Sequence, residues 1–515
     1  VGGGLMFRIL GSKHLQGDGV SRRDLLKVGA LGALTAGVDG FLPPGSLAPP
    51  SAQAASARAA LPGFGQAKSV ILLYLYGAAS QIETFDPKPK APVEIRGELD
   101  AISTSVPGVQ IGELLPLTSK VIDRVTVVRS MSHPFPLHAV AYAVTSNPLI
   151  DVPMQMNPRD TRHWPFIGSV VEYLDRKAGV EGPPGVARNI GLPWRLSSRR
   201  EYAAGDNAGP YAAFLGSAYD PIWTDFEGEG TRESTYTFDK QTITCFDPYG
   251  PLKPGAKFGL SREAELPAGM TLDRLDRRRN LLDQFNEARA KFDKRAKERD
   301  GQRGFDRFQQ MAFNYLTTNA MRDALDVEKE PAPLREQYGM TLFGQSTLVA
   351  RRLIEAGARF ATVLWDEFEL VNSAWDTHFY HYSLMKEQLG PGFDRAFSAL
   401  ILDLEARGLL DETLIVCTTE HGRTPKITSK QGGGRDHWSR AYSTVLAGGG
   451  AARGKVVGRT NAIAGEVDET PISPKDILAT VYHLLGVDPH TMIQDRLGRP
   501  LPLAGEGRVV PELLA

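Results

Sequence analysis

The segment Ser69–Tyr76, SVILLYLY, is apolar at every position after its first. A strand with one wet face would alternate polar and apolar residues, and eight residues make a short helix. Such a run fits a strand covered on both faces, as at the centre of a parallel sheet between two layers of helices. Further strand-like runs are Arg124–Arg129 (RVTVVR), Ala358–Trp365 (ARFATVLW), Thr413–Thr419 and Tyr442–Ala447. Helical stretches separate them. Ser346–Ala356 precedes the third strand and Phe393–Gly408 the fourth, while Ser473-Pro474 caps and opens a further helix that Gly486 closes. Strands alternating with helices imply an α/β fold with a doubly wound, largely parallel sheet, whose ligands gather at the carboxyl ends of the strands.

At 515 residues the chain exceeds one ordinary core. Residues 69–515 read as one α/β domain with an insertion or cap over about 190–340. Within it, 190–260 is rich in Gly, Tyr and Pro, and Leu272–Asp326 has the spaced apolar residues of long amphipathic helices, broken near Gly301–Gly304. Its charges read as a solvated face. Ahead of the domain, Ser21-Arg22-Arg23-Asp24-Leu25-Leu26-Lys27 precedes an apolar run, Val28–Val38, and a small-x-small site, Ala52-Gln53-Ala54. That order looks like a twin-arginine export signal over 1–54, with 55–68 as linker. The apolar run is too short and Gly-rich to span a bilayer. The expectation is export to the periplasm or cell exterior, without a transmembrane domain. A formal net charge of −1 gives no electrostatic case for a nucleic-acid partner. Of the two cysteines, Cys417 lies in an apolar strand and reads as a small buried hydrophobe, and its pairing with Cys245 stays open.

Three short windows combine a carboxylate with an imidazole. Trp375-Asp376-Thr377-His378 follows the third strand, with His381 close behind. Glu420-His421 ends the fourth, before Gly422-Arg423, and Arg435-Asp436-His437-Trp438 precedes the fifth. A lone Asp-x-His is often only a capped turn. Three such windows beside strands point to one shared site, and their donor chemistry suits a divalent metal, zinc first, with manganese, calcium or magnesium as alternatives. Gly77–Asp86 after the first strand adds Glu83 or Asp86 as a further acid. Ser130–His138 after the second adds hydroxyls and two imidazoles where a nucleophile would sit. Two features are set aside. Gly449-x-x-x-x-Gly454-Lys455 imitates a phosphate-binding loop but has Val456 where a hydroxyl is required. His483 lies on an apolar-patterned helix and reads as packing.

This order of elements resembles the alkaline phosphatase, sulfatase and phosphoglycerate mutase superfamily. More closely, TFDPKP (84–89), FGQSTLVARRLIEAG (343–357), WDTH (375–378), GRTP (422–425), GRDHW (434–438) and LAGGG (446–450) resemble the exported domain-of-unknown-function fifteen-oh-one family. The resemblance implies a fold of alkaline phosphatase/sulfatase type. It also implies a metal set of Glu83, Asp376, His378, Glu420, His421 and His437. The family usually carries an aromatic residue at His421, Gly-Gly-Pro-Ser at Gly77–Ser80 and Asp at Glu83. Pro134 falls near the expected Ser or Thr nucleophile, so a metal-activated water or His133 is the expected attacking group, with Ser132 beside it. Arg423 is expected to neutralise Glu420 or hold an anionic substrate group. The function implied is an exported, metal-dependent hydrolase of phosphate or sulfate esters, acting on a small-molecule or polysaccharide anionic ester. The alternative is a non-catalytic cell-envelope or carbohydrate-associated binding protein that keeps the fold.

Overall fold

The computed structural model describes residues 61–200, 207–238, 241–261, 319–369 and 374–515. The export signal, including Arg22 and Arg23, and all but the last residues of the Leu272–Asp326 helices lie outside the described residues.

Nine strands form the main sheet. In chain order they are β1 (Ser69–Leu75), β2 (Val125–Met131), β3 (Asn189–Leu192), β4 (Ile222–Glu227), β5 (Lys257–Leu260), β6 (Phe360–Trp365), β7 (Thr413–Thr418), β8 (Tyr442–Ala447) and β9 (Lys455–Val457). Their spatial order is β9-β2-β8-β7-β1-β6-β3-β4-β5. From β7 through β1, β6, β3 and β4 every neighbour is parallel, as is β9 beside β2. The departures are β8, antiparallel to both β7 and β2, and β5 on the edge. The sheet is therefore mixed but largely parallel, and the protein is of the α/β class.

All seven residues of β1 are buried, as its apolar pattern after Ser69 requires. Each buried Val, Leu or Ile contributes about 1.5–3 kcal/mol of transfer free energy. Helices α1 (Val140–Val144), α2 (Ile167–Lys177) and α5 (Pro474–Leu484) cover one face, where a small apolar cavity of about 30 Å³ remains between Val70, Leu72, Ile167 and Ile477. Helix α3 (Leu342–Glu355) packs on β1 and β6, and α4 (Gly390–Ala406) packs on α3. Thr341 caps α3, its hydroxyl accepting from Gly344 N–H at 3.1 Å, so the helix starts four residues before the apolar pattern suggests. In α5, Ser473 and Asp476 form a reciprocal capping box.

Three short strands, β3, β4 and β5, fall in or beside the stretch read as an insertion and extend the same sheet. The two-residue pieces Gly422–Arg423 and His437–Trp438 pair with each other above the sheet edge. Lys455 opens β9 rather than a helix, which removes the phosphate-loop imitation. Cys245 and Cys417 are both free, and Cys417 is buried in β7. Among the described residues no helix is long and apolar enough to cross a membrane.

Candidate metal centre

The antiparallel strand β8 explains how five chain segments meet. The parallel strands β7, β1 and β6 end at one edge. Because β8 runs the other way, the segment preceding it lies at that edge too, and so does the segment following β2. The loop after β6 crosses to β1, where Trp375 N–H donates to Tyr76 O at 3.0 Å. Gly77 makes this crossing possible. Its φ is +98°, and a Cβ there would collide with the backbone N of Asp376. Its N–H donates to Glu420 Oε1 at 2.8 Å, which ties the end of β1 to the end of β7. Gly422 lies in an antiparallel pairing with Trp438. Glycine is needed there because a Cβ would crowd Ala441 O and the Gln81 side chain.

Asp376, His378 and His437 come together. His378 Nε2 lies 3.0 Å from His437 Nε2, and Asp376 Oδ1 lies 3.1 and 3.2 Å from those two atoms. Each imidazole is oriented from behind. His378 Nδ1 is 2.6 Å from Asp436 Oδ1, and His437 Nδ1 is 3.2 Å from Pro136 O. Acceptors at both Nδ1 atoms favour protons there, the tautomer in which both Nε2 atoms face the carboxylate as ligands. Asp376 Oδ1 already accepts from Arg423, and the two ring nitrogens beside it complete a donor set that suits a further cation. Donors held at about 2.0–2.2 Å from one ion stand about 2.8–3.6 Å apart, so the triangle fits such an ion without rearrangement.

His138, His421 and His437 form a second convergent group, with potential ligand atoms within 4.8 Å of one another. His421 is fully buried, its Nδ1 is 2.8 Å from Gly422 O, and its Nε2 has no partner among the described residues. Burial, then the neighbouring His437 and His138, hold its imidazole well below the usual range, as a neutral ligand requires. His138 behaves differently. It braces two carboxylates, Nδ1 on Glu420 Oε1 at 2.9 Å and Nε2 near Asp376 Oδ2 at 3.2 Å. Burial pulls its pKa down, but Asp376 and Glu420 outweigh it and push the group up to about 10.

The remaining predicted residues are placed outside this triangle. Glu420 is buried and engaged by Gly77 and His138. Glu83 is enclosed by Arg435, at 3.0 and 2.5 Å, and by Ser80 and His381. Burial opposes its ionisation, but Arg435 and then His381 hold it far below the usual carboxylate range. Arg423 is fully buried and spends its nitrogens on Ala78 O, Arg435 O, Gly77 O and Asp376. It holds Asp376 well below the ordinary range although burial acts the other way. His133 uses both ring nitrogens on backbone, 2.6 Å from Glu420 O and accepting from Phe135 N–H at 3.2 Å. Burial lowers its pKa to about 4. Ser132 is half-buried, anchored by its N–H on Ile472 O at 3.0 Å. Sequence reasoning did not assign His138 or Asp436 to the centre. The signal for Asp436 was its position beside His437, and for His138 the Pro134-Phe135-Pro136 bend that returns the chain to the sheet edge.

Fold and site together define an α/β protein with a histidine–carboxylate centre at the carboxyl edge of its sheet. Residues 67–514 match the family described as "Protein of unknown function (DUF1501)", and the chain belongs to that family. No curated protein matches. Among solved structures, the chain is similar to Ps i-CgsB in complex with k-i-k-neocarrahexaose, at 12% identity and a TM-score of 0.36, covering 82% of this chain and 73% of that one. It is also similar to the PsFucS1 sulfatase from Pseudoalteromonas sp., at 12% identity and a TM-score of 0.32, covering 85% and 70%. A third is the phosphonate monoester hydrolase SpPMH from Silicibacter pomeroyi, at 13% identity and a TM-score of 0.32, covering 86% and 76%. Likeness at this level leaves the chemistry of this chain to its own residues.

Proposed function

We propose that this chain is a metal-dependent hydrolase of phosphate or sulfate esters. The observation that carries the reading is the triangle of Asp376 Oδ1, His378 Nε2 and His437 Nε2, with edges of 3.0 to 3.2 Å and every imidazole oriented from behind. Asp376, His378 and His437 would hold a divalent ion, zinc by preference for two nitrogens and one oxygen, with His421 as a further neutral donor. Such an ion supplies polarisation of the ester oxygen and a more acidic water.

The protein's own groups have separate tasks. Asp436 and the Pro136 carbonyl fix the ring orientations of His378 and His437, and Arg423 keeps Asp376 ionised. His138 carries a proton beside the centre, where a departing oxygen would collect it. Water is the nucleophile in this reading, because both nitrogens of His133 are committed to backbone. The substrate class is an anionic ester, small or polymeric. The same reading places the protein in the periplasm or outside the cell through Arg22-Arg23. With both changed to Lys, the precursor is expected to stay in the cytoplasm on fractionation, and normal export would defeat that part.

The activity test is a panel of phosphate and sulfate monoesters with and without a chelator. Turnover that disappears with chelation and returns with zinc is expected. A fully loaded protein that turns over nothing would instead support a second reading, a binding protein that keeps the fold. Arg423 favours that second reading, since its nitrogens are already taken by protein groups.

A further inference from the structure

Two limbs of chain carry the triangle, residues 376–378 and residues 435–437. They touch at the backbone, where Arg435 N–H donates to Thr377 O at 3.2 Å. Behind that contact stands Glu83, with both side-chain oxygens in use. Oε1 accepts from Arg435 Nε at 3.0 Å and Nη2 at 2.5 Å, in the limb that carries His437. Oε2 accepts from Ser80 Oγ and lies 3.2 Å from His381 Nε2, a contact distance without the geometry of a hydrogen bond. The other nitrogen of His381 is 2.7 Å from Thr377 Oγ1, in the limb that carries Asp376 and His378. Glu83, His381 and Arg435 are buried to the last per cent or two. Arg435 is held further by the carbonyls of Thr424, Pro425 and Ile95, so it transmits position rather than swinging freely.

We propose that Glu83 is a positioning residue. One carboxylate grips both limbs and so sets the spacing between Asp376 and His378 on one side and His437 on the other. The proposal rests on the metal reading above. It assigns the early acid a different task from the ligand role that the sequence suggests, since its oxygens face Arg435, Ser80 and His381. Partners behind metal ligands typically change affinity by about 10–100-fold when removed.

The test uses Co(II) as the probe ion on the purified full chain, at a temperature where each variant is folded by circular dichroism. Glu83→Gln is expected to weaken Co(II) binding about 10–100-fold. It should shift the ligand-field bands while X-ray absorption reports the same number of nitrogen and oxygen donors. A merely structural role would lower the melting temperature and leave affinity and bands alone, and that result overturns the proposal. Loss of one oxygen donor also overturns it, because Glu83 would then be a ligand. If Glu83→Gln does not fold, Thr377→Val decides, since it cuts only the His381 link. A weakening in the same direction supports the proposal and an unchanged affinity overturns it. Wild-type protein that takes up no Co(II) overturns the metal reading and this proposal together, whereas normal uptake with insensitive variants overturns only this one.

Discussion

Two of the charge clusters among the described residues are built on different rules. Between α3 and α4, Arg351 is fully buried and meets Glu330 at 2.8 Å, Glu355 at 2.6 Å and Asp403 at 2.8 Å. Arg352 shares Glu330, and Arg407 reaches Asp403, Glu355 and Glu330. Three guanidinium groups thus face three carboxylates. At the sheet edge the balance is different. His378 and His437 turn their Nε2 atoms toward each other and toward Asp376, and His421 points a buried nitrogen at no protein partner among the described residues. The first cluster pairs charge with charge, whereas the second adds ring acceptors to a carboxylate that Arg423 and His138 already hold. Burying such a surplus is costly unless a cation joins it. That contrast is the physical ground for proposing a metal at the second cluster and none at the first.

The largest effect should come from breaking the balanced cluster. Arg351→Met leaves Glu330 and Asp403 short of a partner and is expected to cost about 3–5 kcal/mol in urea unfolding, with metal uptake unchanged. A change in uptake would mean that the two clusters are coupled. His437→Ala reverses the pattern. It removes one acceptor from the surplus, so zinc affinity should fall more than about 100-fold, beyond the loss usual for groups behind the ligands. Stability of the ion-free protein should move by less than about 1 kcal/mol. Calorimetric titration and denaturation of the same sample check both halves.

The smallest and most graded effect is on pH dependence. The His138 pKa in the fold, about 10, lies above its ordinary value near 6.5. Its stabilising contribution is therefore complete below about pH 6.5 and is lost as pH rises toward 10. The slope should be no steeper than about 1.4 kcal/mol per pH unit. Ion-free protein should show that decline in denaturation measured from pH 6 to 10. His138→Gln should flatten it and Arg351→Met should not. A decline that survives His138→Gln would place the titrating group elsewhere.

Much of the fold was legible because burial on both faces leaves a mark. SVILLYLY, ARFATVLW and the strand before Glu420 are each mostly apolar, and each lies in the sheet interior as β1, β6 or β7. Strands β3, β4 and β5 left no such mark. NIGL and KFGL are four residues long with a glycine inside, and IWTDFE is only partly buried. Their pairing is decided by neighbours distant in sequence. Direction was equally hidden, since nothing in YSTVLA distinguishes antiparallel β8 from a parallel strand. At the site, carboxylate–imidazole spacing found Asp376, His378 and His437. Glu83 could not be told from a ligand, because the guanidinium that claims it lies 352 residues further along the chain. His138 was hidden for the converse reason: the loop carrying it has no carboxylate of its own and meets Asp376 and Glu420 only after folding.

The most direct test of the central claim is the metal content of purified full-length protein after exposure to zinc and gel filtration, measured beside His378→Ala. A divalent ion should be retained by the wild type and lost from the variant, with circular dichroism unchanged. A wild-type protein that emerges free of metal, or a variant that keeps its ion, would contradict the claim that Asp376, His378 and His437 form a metal centre.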